Sequence, residues 1–259
     1  MSCRVTSQPA EFQNDVLGKG RAELFRDGMK LDQYVDDQGR VFTLKQLAGI
    51  DEEQWLDLGE LTTKEVVSRA KAMEQEWVSK QSDEVDWASV RNYQEGANEE
   101  INEALRSGVL EGHEKFLVEE MDKVFATVTP LEENTVVYRI AYLDDASANS
   151  YFGGVAPQAG VEFVDKGYCS TSMSRAFLDR VENWGTLGHE TGGGAAYKIR
   201  IRVPKGTQAL RMPEYYDEAE ILLNRSVRFR VIDASEAGTI VTKDGSKIPV
   251  FNVEVEVVP

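Results

Sequence analysis

The spacing of apolar residues changes near Pro130, and this change constrains the fold more than any other feature of the sequence. Before it, apolar residues recur every three to four positions, as on one face of an amphipathic helix. After it, apolar and polar residues alternate, as in half-buried strands: Ile199 and Ile201 flank Arg200. A helical segment followed by a β segment predicts an α+β fold, with a helical N-terminal layer packed on a mostly antiparallel β core.

Local signals place the individual elements. Thr62 and Glu65 have the spacing of a capping box and predict a helix start. Gly108 is placed to end a later helix, since glycine tolerates positive φ. The turn residues Asp244 and Gly245 predict a hairpin between the last two strands. Further helices are predicted over residues 42–49, 51–58, 87–107 and 114–125, and strands over 135–142, 196–203, 227–231 and 253–257.

The same patterns suggest how the chain is divided. We expect residues 1–60 to form an N-terminal extension, which matches no motif. Residues 61–259 are expected to form the main domain. Within it, a helical lobe covers about 61–128 and a β core about 129–259.

Charge and composition exclude several functions. The formal net charge is −16, with 45 acidic and 29 basic residues, so nucleic-acid binding is not expected. Two cysteines and two histidines exclude a disulfide framework and a multi-cysteine zinc site, and no metal is expected. The first 14 residues lack the apolar core of a Sec-type signal, and no apolar run reaches the ~18 residues of a membrane span. We therefore expect no membrane association. The protein is also expected to be a monomer.

Three groups of side chains in the β half can carry chemistry. They are Arg139 in an apolar strand, the hydroxyl run 170–172, and the pair Glu218 and Glu220. A buried arginine needs an anionic partner or a bound phosphate. Residues two apart on a strand share a face, so the two carboxylates would lie roughly 6.6–7 Å apart and face one cleft.

Each group also has an ordinary structural explanation. The spacing of Glu218 and Glu220 recurs at 74–76 and 254–256, where a solvated charged face is expected. Hydroxyl residues can simply end a strand. The context of the later pair differs, because it lies between a loop with two tyrosines and the apolar run 221–223. The order of the three groups along the chain strengthens the functional interpretation.

In that order, the sequence resembles the mono-ADP-ribosyltransferases of the arginine, serine-threonine-serine, glutamate class. This class includes binary actin-modifying toxins, insecticidal toxins and transferases of bacteriophages. The resemblance covers about residues 87–259 and rests on the segments NYQEGANEEINEALR, PLEENTVVYR, GYCSTS, IRIRVPKGTQA and EYYDEAEILLNRSVRFRV. It implies a two-sheet β core, NAD as the substrate that donates ADP-ribose, and no metal.

The resemblance assigns catalytic roles to four residues. It implies that Arg139 holds the NAD pyrophosphate, as a bidentate guanidinium can. Ser170 would orient the catalytic glutamate. Glu220 would bond the ribose 2′-hydroxyl and stabilise the positive charge that develops at C1′ as nicotinamide leaves. Glu218 would accept a proton from an incoming arginine guanidinium.

The resemblance also implies contacts with NAD. Thr171 and Ser172 would support the NAD cleft, and Tyr93 and Asn102, nine positions apart, resemble NAD-contacting residues. Tyr93 also fits the apolar face of its helix. An aromatic side chain is expected to pack on nicotinamide, and Phe177 and Trp184 are the two candidates.

A loop of the β half is expected to contact the acceptor. Tyr215 and Tyr216 resemble the family residues that touch the protein substrate. Cys169 could be reactive, but no histidine is near it in sequence, and a small buried side chain is the simpler expectation.

Together these features predict NAD-dependent mono-ADP-ribosylation of a host target protein on arginine. The chain would be secreted or injected and would act in the host cytoplasm, or would be a phage enzyme made inside its host. Two alternatives stay open: an NAD glycohydrolase, with water as the main acceptor, and a non-catalytic binding or virion-associated protein that keeps the fold. A glycosidase also uses paired acids, but the chain lacks a tryptophan-rich sugar groove.

Overall fold

The structure is a computed structural model that describes residues 33–35, 41–43, 55–59, 61–180, 194–212, 219–242 and 245–258. The chain divides into two compact units, Met1–Gln54 and Trp55–Pro259. In the first unit, β1 (Gln33–Val35) pairs antiparallel with β2 (Val41–Thr43). The described helices and the large sheet lie in the second unit.

Five α-helices are described: α1 (Thr63–Ser79), α2 (Trp87–Asn92), α3 (Asn98–Ser107), α4 (Gly112–Thr127) and α5 (Asp145–Phe152). The capping box that begins α1 is confirmed, because the Thr62 hydroxyl accepts from the Glu65 N–H while the Glu65 carboxylate accepts from the Thr62 N–H. The left-handed Gly108 that ends α3 is also confirmed, at φ 78°.

The helix predicted over residues 87–107 is interrupted. A π-helical turn, Tyr93–Ala97, separates α2 from α3, and Gly96 lies within it at φ 141°. This backbone conformation is open to glycine and costly for other residues. Turns of this kind often occur at functional sites, and this one presents Tyr93 to the sheet.

Nine strands form one sheet. Its order is β5-β10-β11-β7-β4-β6-β9-β8, with β3 pairing with β4 outside that path. The neighbours are antiparallel except β7 with β11 and β3 with β4. The strands are β3 (Trp55–Leu56), β4 (Asn134–Leu143), β5 (Glu162–Asp165), β6 (Cys169–Ser172), β7 (Ala195–Val203), β8 (Ala209–Arg211), β9 (Glu220–Leu223), β10 (Val227–Val241) and β11 (Lys247–Val258).

The mostly antiparallel α+β architecture is confirmed. The predicted hairpin is confirmed as well, because β10 and β11 pair from Val241 and Lys247 onward. Two of the predicted helices are wrong where the structure describes them: residues 41–43 and 55–56 are strands. Strand pairing explains both, since β2 pairs with β1 and β3 pairs with β4, and such contacts override weak local preference.

The sheet is almost divided at one place. Strands β4 and β6 are joined by a single residue pair, Tyr138 with Ser172. In contrast, β4 and β7 pair over nine residues, and β6 and β9 pair over four. The β core thus has a large half (β5, β10, β11, β7, β4) and a small half (β6, β9, β8), which meet at one corner.

Three hydrophobic clusters of described residues pack on this sheet. The first covers both halves and includes Val137 and Ile199 of the large half. The second lies between the helices and the small half, where Leu222 packs against helical residues. A small third cluster lies on β4, β7 and β11 of the large half. In β9, Ile221 faces the first cluster and Leu222 the second, as strand alternation requires.

Gly194 is a backbone position that we expect to tolerate no side chain. It has φ 96°, and a Cβ there would lie 2.2 Å from the Leu143 carbonyl oxygen. Gly206 has a similar φ of 88° with open space around it. We predict that Gly194→Ala lowers the free energy of unfolding by about 3 kcal/mol or more, and Gly206→Ala by about 1–2 kcal/mol. Thermal unfolding of both variants checks this, and equal losses would contradict the predicted clash.

Candidate active site

Arg139 projects from β4 beside the corner where the sheet halves meet. Its Nη1 lies 2.7 Å from the Cys169 Sγ and 3.6 Å from the Asp165 Oδ2. Its side chain is 22% exposed, so part of the guanidinium is open to a ligand. The sequence-based expectation of an anionic partner is met by Asp165.

Asp165 is a buried carboxylate with several partners. Arg106, on α3, donates to it from Nε at 3.1 Å and from Nη2 at 3.2 Å. The Tyr151 hydroxyl and the Gly167 N–H also donate to it, at 3.3 Å and 3.0 Å. One carboxylate thus holds two guanidiniums, those of Arg106 and Arg139, and fixes where both lie.

Gly167 lets the helix approach this carboxylate closely. A Cβ at this glycine would lie 2.7 Å from the Asn102 Oδ1 and 2.9 Å from the Arg106 Nη2. A larger residue would require these two side chains of α3 to move. The glycine of the GYCSTS segment therefore allows the close approach of the Asn102 and Arg106 side chains.

The charges around Arg139 determine its protonation. Burial acts to lower the pKa of Arg139, but Cys169 and Asp165 outweigh it and the pKa is raised, so the guanidinium stays charged. Burial raises the pKa of the Cys169 thiol, although Arg139 opposes this. Cys169 is free and buried, as expected for a small packed side chain, and its raised pKa disfavours the reactive thiolate.

The three hydroxyl residues of β6 have different surroundings. The Thr171 hydroxyl donates to the Ile221 carbonyl at 2.6 Å, and the Ser172 Oγ accepts from the Ser174 N–H at 2.9 Å. Both residues are buried, and these bonds stabilise β6, its pairing with β9 and the turn that follows. Ser170 is only partly buried and bonds to the Tyr93 hydroxyl.

Glu220 begins β9, next to β6. It pairs with Ser172, while Ser170 pairs with Leu222. Because alternate residues share a face, Ser170 and Glu220 lie diagonally on the same side of this ladder, within reach of a long side chain. That side faces the helices, since Leu222 packs there.

The Tyr93 hydroxyl interacts with Ser170 and with the charges of Glu220 and Arg139. Burial raises the pKa of Tyr93 to about 12, and hydrogen bonds with Asn102 and Ser170 oppose the shift. The charge of Glu220 raises this pKa further, whereas that of Arg139 lowers it. The Tyr93 hydroxyl therefore bonds to Ser170 and lies within electrostatic reach of Glu220 and Arg139.

The remaining predicted residues lie in several places. Asn102 is half-buried on α3 and bonds to Tyr93 and Tyr168. Phe177, in the 3₁₀ turn Arg175–Arg180, packs against a cluster containing Ile140 and Val250 and does not line the Arg139 pocket. The other predicted site residues lie outside the described residues: Trp184, Tyr215, Tyr216 and Glu218.

Three separate pockets or grooves border the candidate site residues. Arg139 and Asp165 line a pocket of about 50 Å³, and Glu220 lines one of about 10 Å³ against α1. A larger open groove of about 550 Å³ runs along α3 and is lined by Asn102 and Arg106. Of these three spaces, the groove along α3 has a volume suited to a ligand as large as a dinucleotide.

Sequence reasoning missed two members of the site. Arg106 follows Asn102 by four positions, which places both on one face of α3, so helical spacing could have indicated it. Asp165 ends the short strand β5, and no local pattern distinguishes it from other acidic residues of this chain.

Among residues that the structure describes, no group of three or more His, Cys, Asp or Glu side chains could hold a metal ion. Within the same part of the chain, no helix combines the length and the apolar character needed to cross a membrane.

A family model described as ADP-ribosyltransferase exoenzyme matches residues 69–253. The match spans more than half of the chain and includes Arg139, Ser170 and Glu220. The chain therefore belongs to the ADP-ribosyltransferase exoenzyme family, whose activity is NAD-dependent ADP-ribosylation. No curated protein matches the sequence.

Solved structures with this fold are bacterial toxins and related enzymes. Plx2a, an ADP-ribosyltransferase toxin from Paenibacillus larvae, is 21% identical with a TM-score of 0.54, over 79% of this chain and 100% of its own. The ADP-ribosyltransferase Vis from Vibrio splendidus, in complex with agmatine, is 14% identical with a TM-score of 0.56, over 76% and 86%. C3stau2 from S. aureus, solved with NAD, is 15% identical with a TM-score of 0.52, over 79% and 99%. At these identities, the likeness establishes the fold.

Asp165 should matter more for stability than a similar carboxylate elsewhere. Asp122 also accepts two bonds from one arginine, Arg225, at 2.7 Å each, and one from a tyrosine hydroxyl, but its side chain is 35% exposed against 7% for Asp165. We predict that Asp165→Asn destabilises the protein by about 3–5 kcal/mol, because two partly buried guanidiniums lose their anion. Asp122→Asn should cost about 1–2 kcal/mol. Chemical denaturation measures both, and a smaller loss for Asp165→Asn would contradict the assignment.

Proposed function

We propose that this protein transfers ADP-ribose from NAD to an arginine side chain of a target protein and releases nicotinamide. Membership of the ADP-ribosyltransferase exoenzyme family supports the NAD-dependent reaction. The observation that carries the site assignment is the β6–β9 ladder, which places Ser170 and Glu220 on one face, with Arg139 contacting Cys169, the neighbour of Ser170 in the same strand. A cation, a hydroxyl and a carboxylate at one place are the groups that the transfer requires.

Arg139 is proposed to bind the pyrophosphate of NAD. Its guanidinium is charged, partly exposed and held in position by Asp165. Cys169 and Asp165 both contact Nη1 of Arg139, and we assign Nε and Nη2 to the phosphate oxygens. The open groove along α3 provides room for the rest of the dinucleotide.

Glu220 is proposed to act on the nicotinamide ribose. Its carboxylate would bond the 2′-hydroxyl and stabilise the positive charge at C1′ as the bond to nicotinamide breaks. Nicotinamide leaves with the electron pair of that bond. A guanidinium nitrogen of the acceptor then forms the new bond to C1′, and its proton passes to Glu218.

The choice of arginine rests on Glu218 and on one structural relative. A second carboxylate two positions before Glu220 is suited to accept the proton of an attacking guanidinium. Vis was solved with agmatine, a small molecule that carries the same guanidinium group as arginine. Tyr215 and Tyr216, which precede this pair in sequence, are proposed to contact the target protein.

The cellular location of the reaction is proposed by analogy with the structural relatives. Plx2a is an ADP-ribosyltransferase toxin of a bacterium, and a toxin of this kind modifies a protein of another cell. We propose that this chain is likewise delivered to a host cell and acts on a protein in its cytoplasm.

Replacing the carboxylate of Glu220 should abolish the chemistry and spare NAD binding. For Glu220→Gln we predict a decrease in kcat for nicotinamide release of about 100-fold or more, because the amide cannot stabilise the cationic centre. The dissociation constant for NAD should change less than about threefold. Glu256→Gln, which removes a surface carboxylate on β11, serves as the control. A Glu220→Gln variant with normal turnover would refute the proposed mechanism.

The acceptor is tested by Glu218→Gln with agmatine as the small acceptor. We predict that this variant still hydrolyses NAD at about the wild-type rate but transfers ADP-ribose to agmatine at least about tenfold more slowly. The physical reason is the loss of the group that takes the guanidinium proton. Mass spectrometry of ADP-ribosylated agmatine, measured beside nicotinamide release, separates the two activities. Wild-type protein that releases nicotinamide without modifying agmatine or protein would indicate an NAD glycohydrolase instead.

A further inference from the structure

The end of α1, the segment before β4 and the end of β8 enclose a pocket of about 310 Å³. This volume lies at the lower end of the range of small-molecule sites. The residues that line the pocket have no role in the proposed reaction, so their arrangement needs a separate explanation. Five of them are charged: Glu76, Lys80, Glu132, Glu133 and Arg211.

Arg211 is a buried cation with poor partners. Its side chain is 8% exposed, against 22–44% for the other arginines with described ion pairs. Its Nη1 lies 3.6 Å from the Met173 Sδ, and its Nη2 lies 3.6 Å from the Glu133 Oε1. A thioether is a weak acceptor, and 3.6 Å is too long for a hydrogen bond between nitrogen and oxygen. Within the described part of the chain, this guanidinium therefore has no carboxylate at hydrogen-bond distance.

The electrostatic environment of Arg211 differs from that of other arginines in this chain. Burial lowers the pKa of Arg211, and the nearby glutamate charges oppose this shift without cancelling it. The pKa values of Arg106 and Arg200 are raised instead, because their carboxylates outweigh burial. Since arginine is not deprotonated in proteins, Arg211 remains a charge that its surroundings do not fully compensate. An anion bound in the pocket would supply the missing compensation.

The carboxylates lie further out in the pocket than Arg211. The side chains of Glu133, Glu132 and Glu76 are 48%, 58% and 70% exposed. Lys80 is shared by two of them, since its Nζ lies 2.7 Å from the Glu132 Oε2 and 3.1 Å from the Glu76 Oε1. The three carboxylates outnumber the two cations. A ligand that carries only negative charge is therefore attracted by the base of the pocket and repelled by its rim.

We propose that this pocket binds a small zwitterion, the class of molecule to which free α-amino acids belong. The ligand carboxylate would contact Arg211 at the base, and the ligand ammonium would contact Glu132 and Glu133 at the rim. Met73 and Trp77 line the same pocket and would contact an apolar side chain of the ligand. Binding needs neither NAD nor a covalent step, so this inference does not rest on the proposed function.

Hydrogen bonds hold the end of α1 in position. The Trp77 indole N–H donates to the Thr129 carbonyl at 3.1 Å. The Gln81 side chain donates to the Trp77 carbonyl and accepts from the Thr129 N–H, both at 2.8 Å. These bonds connect α1 to the segment that leads to Glu132 and Glu133. A pocket whose walls are already ordered loses less entropy when a ligand binds.

The test compares L-leucine with two analogues that each lack one of its charges. Leucinamide keeps the ammonium and lacks the carboxylate, whereas 4-methylpentanoate keeps the carboxylate and lacks the ammonium. We expect the wild-type protein to bind L-leucine at least about tenfold more tightly than either analogue, because each analogue leaves one end of the pocket without a partner. Isothermal titration calorimetry measures the three dissociation constants. L-leucine that binds no more tightly than its analogues would overturn the proposal.

Two variants assign the two ends of the ligand. In Arg211→Met, L-leucine should bind no more tightly than leucinamide, because the partner of the carboxylate is gone. In Glu133→Gln, the preference for L-leucine over 4-methylpentanoate should fall at least about threefold, since one acceptor of the ammonium is lost. Glu236→Gln, which removes an exposed carboxylate of β10, is the control and should change neither preference. Unchanged preferences in Arg211→Met would contradict the assigned site.

A measurement of stability separates a ligand-binding arginine from a structural one. Without ligand, Arg211→Met should melt within about 2 °C of the wild type, because it removes a poorly compensated buried charge and keeps a side chain of similar length. Arg225 donates to both oxygens of Asp122 at 2.7 Å. Arg225→Met should therefore lower the melting temperature by about 3 °C or more. If Arg211→Met loses as much as Arg225→Met, Arg211 is a structural cation and the proposal fails.

Saturating NAD distinguishes this pocket from the NAD cleft. We expect the dissociation constant of L-leucine to change less than about twofold when NAD is present, because the proposed NAD-binding residues do not line this pocket. Displacement of L-leucine by NAD would place both ligands in one site and overturn the proposal. A wild type that binds L-leucine but releases no nicotinamide would overturn the proposed function alone.

Discussion

The buried carboxylate of Asp165 is the interaction on which the site depends. Two guanidiniums close together repel each other, and Asp165 lets Arg106 and Arg139 share one place. The same carboxylate connects α3, α5 and β4 through Arg106, Tyr151 and Arg139. In a chain with a net charge of −16, this arrangement concentrates positive charge where a pyrophosphate would bind. Stability and phosphate binding therefore rely on the same ion pairs.

The helical lobe contributes to the chemistry as well as to the core. Its π-helical turn and α3 supply Tyr93, Asn102 and Arg106, which reach residues of the β core by hydrogen bonds. The strands carry the groups that are proposed to act on NAD. The helices help to position those groups, since Arg106 of α3 shares the Asp165 carboxylate with Arg139.

The sequence predicted the α+β class because hydrophobic periodicity is a local pattern, whereas the roles of Arg139, Ser170 and Glu220 stay predictions drawn from the family resemblance. The sequence mispredicted residues 41–43 and 55–56, where pairing with another strand decides the structure. Asp165 could not be found because its importance arises from Arg106 and Arg139, 59 and 26 positions away in the chain. Tyr93 was recognised as a candidate, but its near-complete burial against Tyr168 arises from packing between the helices and the strand ends, which no local pattern shows.

The single residue pair between β4 and β6 is the only ladder contact between the strand that carries Arg139 and the two described strands that carry Ser170 and Glu220. Ser170 and Glu220 belong to strands bonded over four pairs, so their spacing is held by a continuous ladder. Arg139 lies across the corner and is tied to the small half mainly through side chains. Substitutions in the large half can therefore shift Arg139, the proposed phosphate-binding residue, while the spacing of Ser170 and Glu220 stays constant. A mutation on one side of the corner need not be transmitted to the other, because few backbone bonds cross it.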